Sequence, residues 1–172
     1  GGGIRKQIEA GDITLDDIYS VHPFGNTMCV IRVTGQQVLD ALEWGARAVP
    51  SENGGFLQVS GLTYEIHTGV ASSAEKDENG MFTRVSGEYR VKNVMVGGQP
   101  LELDKTYTLA SHNYMLLGHG DGYTMFDGCE VLGEDMMVDN QVLITYITTT
   151  LGGVVGELRR SVMLNCKFSG KI

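Results

Sequence analysis

Cysteine and proline each occur only three times in the 172 residues, and tryptophan occurs once. The three cysteines, Cys29, Cys129 and Cys166, build no disulfide framework, and none sits in a C-x-x-C pair of the kind that holds zinc. The count leaves two readings open, one bridge with a free thiol or three reduced thiols, and the second is preferred. No run of 18 apolar residues exists, so no segment reads as a membrane span. Positive charge is short as well: 13 Lys and Arg stand against 21 Asp and Glu, a net charge of −8 with no basic tract. A nucleic-acid polymer is therefore not an expected partner, because neutralising its phosphates needs clustered cations. Also lacking are a G-x-S-x-G elbow, a Walker loop, H-E-x-x-H and a G-x-G-x-x-G after a strand. The histidines His22, His67, His112 and His119 pair with no other ligand at metal spacing on a helix. By these absences the chain carries no complete catalytic centre, and no cofactor is expected within it.

Glycine is in excess, at 24 of 172 residues, where a usual chain has ~7%. Many tight turns are made by it, and turns are where sites concentrate. Apolar residues at 42% and charged residues at 20% suit one globular domain over residues 1–172. A chain of this length buries roughly 70% of its unfolded surface and needs no staple. Its opening, Gly1-Gly2-Gly3-Ile4-Arg5, has no initiator Met, charged n-region or apolar h-region. That predicts a segment of a longer protein.

Local patterns predict an α+β domain with a mixed β-sheet and two main helices. Thr14 with Asp17 reads as a capping box opening a short helix that Pro23 ends by Val21 or His22. Thr27 to Val33 reads as a strand. Thr34 caps a helix whose apolar stripe is Val38, Leu42, Gly45 or Ala46, and Val49, ended by Pro50. Phe56–Val59, Gly61–Ile66, Tyr89–Val96, Gln99–Leu103 and Thr106–Ser111 read as strands, with a hairpin turn at Gly97-Gly98. Residues 71–79 and 112–126 read as loops. Asp139 caps a long helix over Asn140–Leu151, with Leu143, Tyr146, Ile147 and Leu151 on one face, and Val162–Phe168 reads as a last strand.

Three stretches carry chemistry. Gly1-Gly2-Gly3 lets the backbone approach a ligand closely, and Arg5 behind it offers a planar fork for phosphate or carboxylate. In His22-Pro23-Phe24-Gly25-Asn26 a loop aromatic and a nearby amide suit stacking and edge bonding of a flat ligand. Asn113-Tyr114 with Gly120-Asp121-Gly122-Tyr123 adds a second aromatic face and an exposed carboxylate for sugar hydroxyls. Taken singly, each stretch is equally well a turn or a core plug.

Taken in order, with Gly54-Gly55-Phe56-Leu57-Gln58-Val59-Ser60-Gly61, these motifs resemble the C-terminal domain of the 5′-nucleotidase family, from Gly1 to about Asp127. That family includes UDP-sugar hydrolases and 2′,3′-cyclic-nucleotide phosphodiesterases. The resemblance implies a substrate-binding domain that positions a nucleotide for hydrolysis by a preceding metallophosphoesterase domain holding two divalent metal ions. It implies a phosphate contact at Arg5, base stacking by Phe24 and Tyr114, a base contact at Asn26 and a ribose contact at Asp121. It implies Phe56 in the core, a nucleoside or nucleotide as ligand, the metal domain as a partner in cis, and a location that is extracellular, periplasmic or on the cell wall. The chain departs from the family pattern in having no Asn or further Arg before the triple glycine, and in Tyr114 where Phe is commoner. The alternatives are a non-catalytic cell-surface interaction module, or the same domain serving a UDP-sugar or cyclic-nucleotide enzyme.

Overall fold

In a computed structural model, residues 2–156 and the backbone of 166–169 are described. Thr14 opens α1 (Leu15–Val21) through a complete capping box with Asp17. β1 (Met28–Thr34) alternates as its sequence demands: Cys29, Ile31 and Val33 are buried, and Arg32 and Thr34 face out. Thr34 makes the second capping box, with Gln37, and starts α2 (Gly35–Ala46). Next come β2 (Leu62–His67), β3 (Ala74–Lys76), β4 (Phe82–Val85), β5 (Val91–Val96), β6 (Gln99–Pro100) and β7 (Thr106–His112). A one-turn α3 (Asn113–Leu116), β8 (Glu130–Gly133), α4 (Asp139–Thr145) and β9 (Cys166–Ser169) complete the order.

The strands form three small sheets, β7-β1-β8, β6-β5-β2-β9 and the hairpin β3-β4. All pairs are antiparallel except β2 with β9. Helix α2 touches one strand from each sheet: β1, β4 and β5. This explains why its last turns, Ala41 to Ala46, are buried on all sides rather than along one stripe. Trp44 meets Phe82 edge-on, with ring centroids 5.7 Å apart at 67°. The core joins Ile31, Val33, Leu42 and Trp44 to Ile66 and Val91 across the two larger sheets.

Within that core lie two charged residues, Glu43 (0% exposed) and Arg90 (4%). Glu43 Oε2 accepts from the Val91 amide at 2.9 Å, which ties α2 to β5. Arg90 Nη1 donates to Ala46 O at the end of α2 and to Val49 O in the turn that follows.

Several expectations are corrected. The second helix ends at Ala46, so Val49 lies outside it: the Arg47 and Val49 amides bond three residues back, to Trp44 O and Ala46 O, in a turn that follows the helix. Phe56–Val59 forms no ladder; it is a half-buried wall packed on the core, and Phe56 is a wall residue rather than a fully buried one. Part of the predicted loop 71–79 is a hairpin strand. Asp77 Oδ1 accepts from the Asn79 and Met81 amides, and Asn79-Gly80 turns β3 into β4 with Gly80 at φ +81°. Strand pairing begins at Val91 rather than Tyr89, whose hydroxyl instead donates to Asp40 Oδ1 at 2.6 Å. Only Gln99 and Pro100 of the predicted Gln99–Leu103 strand pair. The 112–126 loop contains α3 and two short 3-10 turns. The long helix is capped at Val138, with Asp139 Oδ1 bonded to the Asn140 amide, and continues as one π-helical turn, Tyr146–Thr150. Its predicted apolar face is not buried; Tyr146 is 51% exposed. The N-terminal part of the Val162–Phe168 strand lies outside the described residues. Cys29 and Cys129 are free thiols, and burial raises the pKa of both.

Candidate functional site

One cavity of about 870 Å³ opens between the N-terminal segment, α2, the Gly54–Leu62 stretch and the end of β7. Arg5, Phe24, Asn26, Tyr114 and Asp121 all line it. Four separate stretches of chain thus converge on one hollow, with an apolar floor that includes Leu42, Phe56 and Leu109.

Each wall is held by bonds that can be traced. The Gly2 amide donates to Gly54 O at 2.9 Å and the Arg5 amide to Val21 O at 3.0 Å, pinning the glycine-rich opening across the cavity mouth. The Arg5 guanidinium donates to Gly2 O at 3.0 Å and lies 5.8 Å from the centre of the Phe24 ring. Phe24 is 59% exposed. Behind it Gly25 takes φ +66°, and the Asn26 carbonyl accepts from the Asp139 amide at 2.8 Å. The Asn26 carboxamide has no partner among the described residues.

Tyr114 leaves α3 from a framework made by Asn113, whose Oδ1 accepts from the amides of Thr27 and Tyr114. The Tyr114 ring lies directly on Gly120: a Cβ there would fall 2.2 Å from the ring. Glycine is required at 120 by this contact. Accordingly, Gly120→Ala is expected to displace the ring and weaken by about tenfold or more the affinity for any ligand that stacks on it, while leaving the melting temperature within a few degrees. Parallel titration and thermal melts check this; unchanged affinity would contradict it.

Asp121 sits in the left-handed region at φ 54°, ψ 18°. The buried Trp44 indole holds it there by donating to Asp121 O at 2.9 Å. Gly55 packs against its Cβ; a Cβ at Gly55 would lie 3.1 Å away. The Tyr123 hydroxyl donates to Gly55 O at 2.5 Å, tying the double-glycine turn to the same loop. Burial and the nearby Asp121 charge push the Tyr123 hydroxyl's pKa up, opposed by Arg47, so it stays a donor. The Arg47 guanidinium stacks 3.6 Å over the Trp44 ring.

His112 is a wall residue that the sequence reading left without a role. Its Nδ1 accepts from the Met115 amide at 3.3 Å, capping α3, and its ring lies 5.9 Å from that of Tyr114. Burial lowers its pKa against the pull of Asp139 and Asp121. Trp44 and Tyr123 were also missed as site supports, because both act through backbone carbonyls far away in sequence. Among the described residues no group of three or more His, Cys, Asp or Glu could hold a metal ion. No helix among them is long and apolar enough to cross a membrane.

Residues 1–128 match the family model for the 5′-nucleotidase C-terminal domain. The trifunctional nucleotide phosphoesterase protein YfkN of Bacillus subtilis is 35% identical over 155 residues, which is 90% of this chain and 10% of that protein. Protein UshA of Escherichia coli is 30% identical over 147 residues, 86% of this chain and 23% of that one. The crystal structure of a 5′-nucleotidase precursor from Thermus thermophilus superposes with a TM-score of 0.78 at 30% identity, covering 99% of this chain and 31% of that one. The chain thus spans between a tenth and a third of the length of these relatives. The chain belongs to the 5′-nucleotidase C-terminal domain family.

Proposed function

We propose that this chain is the nucleotide-positioning domain of a phosphoesterase, presenting a nucleotide to a metal-bearing catalytic domain in the same longer protein. The observation that supports it is the convergence of Arg5, Phe24, Asn26, Tyr114 and Asp121 on one cavity. In this reading the base stacks between Phe24 and Tyr114, each face contributing about 1–3 kcal/mol. Asn26 bonds the base edge, the Asp121 carboxylate accepts from the ribose diol, and Arg5 faces the phosphate. Holding the ester in one orientation converts the encounter with an activated water into a near-intramolecular event, which is the domain's share of the rate. The two divalent metals belong to the other domain, and the chain by itself releases no phosphate from AMP. The names of the relatives, nucleotide phosphoesterase and 5′-nucleotidase, fit this role in nucleotide breakdown. The word precursor in one of them fits a location outside the cytoplasm.

The test is calorimetric titration of the chain with adenosine and with AMP. Among the described residues lining the cavity, Arg5 is the one Lys or Arg. Arg5→Ala is expected to weaken AMP about three- to tenfold and leave adenosine unchanged, with the difference shrinking as salt rises. Equal losses for both ligands would remove Arg5 from the phosphate position. No binding of either ligand at millimolar concentration would overturn the reading.

A further inference from the structure

We propose that His112 is a specificity-determining residue of this cavity, donating an Nε2–H hydrogen bond to an unprotonated ring nitrogen of a purine base. The proposal rests on the nucleoside reading above and narrows its ligand class.

The tautomer follows from geometry. Nδ1 accepts from the Met115 amide at 3.3 Å, so it carries no hydrogen. A neutral imidazole has one donor and one acceptor nitrogen, so the hydrogen sits on Nε2. That Nε2 has no partner among the described residues, and its ring lines the cavity. A donor lining a largely apolar hollow gains most from a ligand acceptor that replaces water.

The location suits the base rather than the sugar. His112 pairs with Met28 across β1 and β7, and Asn26 lies two residues before Met28 in the segment leading into β1. Asn113, the next residue, donates its amide to Thr27 O at 2.8 Å. His112 and Asn26 are therefore neighbours at one end of the cavity. The His112 ring centroid lies 5.9 Å from that of Tyr114, with the two ring planes tilted by 38°. A base lying on Tyr114 turns its edge towards such a ring. Purines present hydrogen-free ring nitrogens on their edges, N3 and N7, as acceptors. The uracil ring has none.

The experiment is titration of the 172-residue chain with adenosine and with 1-deaza-, 3-deaza- and 7-deazaadenosine. Each analogue replaces one acceptor nitrogen by C–H and keeps the stacking face. One analogue is expected to bind the wild-type chain about five- to tenfold more weakly than adenosine. That difference is expected to vanish in His112→Phe, which keeps a ring and removes the donor. His112→Asn separates bonding from capping, because Asn is a good N-cap but too short to reproduce Nε2. It too is expected to lose the discrimination. The proposal is overturned if both variants discriminate as wild type does, or if His112→Asn alone matches wild type throughout, which would leave only a capping role. Adenosine binding that depends on Tyr114 but ignores His112 would sink this inference alone. Absence of adenosine binding would sink the nucleoside reading with it.

Discussion

Replacing Tyr114 by alanine is expected to weaken adenosine binding by about 5- to 150-fold, which corresponds to about 1–3 kcal/mol of lost base stacking. The effect is expected in affinity and not in stability, because the ring is 49% exposed and rests on a glycine rather than in the core. Tyr114→Phe keeps the face and is expected to bind as wild type. Phe24, 59% exposed, should behave in the same way as Tyr114. Titration of the three variants beside thermal melts separates the outcomes. A Tyr114→Ala chain that binds adenosine normally would remove stacking from the account.

The largest stability effect is expected at Glu43. Truncation to alanine leaves the buried Val91 amide without its acceptor and removes a carboxylate from the neighbourhood of the buried Arg90. Leaving a buried donor unsatisfied costs about 1–3 kcal/mol, against a total of ~5–15 kcal/mol for a domain. Burial raises the Glu43 pKa above its ordinary value of 4.5, opposed by the amides of Val91 and Arg90 and by the Arg90 and Lys92 charges. A raised native value means that the folded protein binds this proton more tightly than the unfolded chain does. Its contribution is therefore fully present below the ordinary carboxylate range and is lost as pH rises through the native value. Glu43→Gln should flatten that fall. Denaturant unfolding across pH checks both statements, and a Glu43→Ala loss below about 1 kcal/mol would contradict the first.

Features that depend on neighbours in sequence were legible before the fold was known. The capping boxes Thr14–Asp17 and Thr34–Gln37 close over three residues, and the alternation of Cys29, Ile31 and Val33 is a property of one strand. Arg5, Phe24, Asn26, Tyr114 and Asp121 could be singled out because they sit in short motifs within a few residues of glycine, and all five line the cavity. What the sequence hid depends on partners far along the chain. Glu130 to Gly133 is too short to read as a strand until Arg32 of β1 lies opposite, where it meets Glu130 at 2.9 Å. Residues 71–79 read as a loop because Ala74–Lys76 is only three residues, and its partner follows the Asn79-Gly80 turn. The acceptor role of the buried Glu43 exists only once β5 crosses α2. The Trp44 indole reaches 77 positions ahead to hold the Asp121 carbonyl.

The central claim is that one base lies between Phe24 and Tyr114. The most direct measurement is the set of intermolecular nuclear Overhauser effects between adenosine and the chain at saturating ligand. The account predicts cross-peaks from the base protons to the ring protons of both Phe24 and Tyr114, and from the ribose protons to the Asp121 loop. Saturable binding with cross-peaks to neither ring, or amide shifts confined to residues outside the cavity, would contradict it.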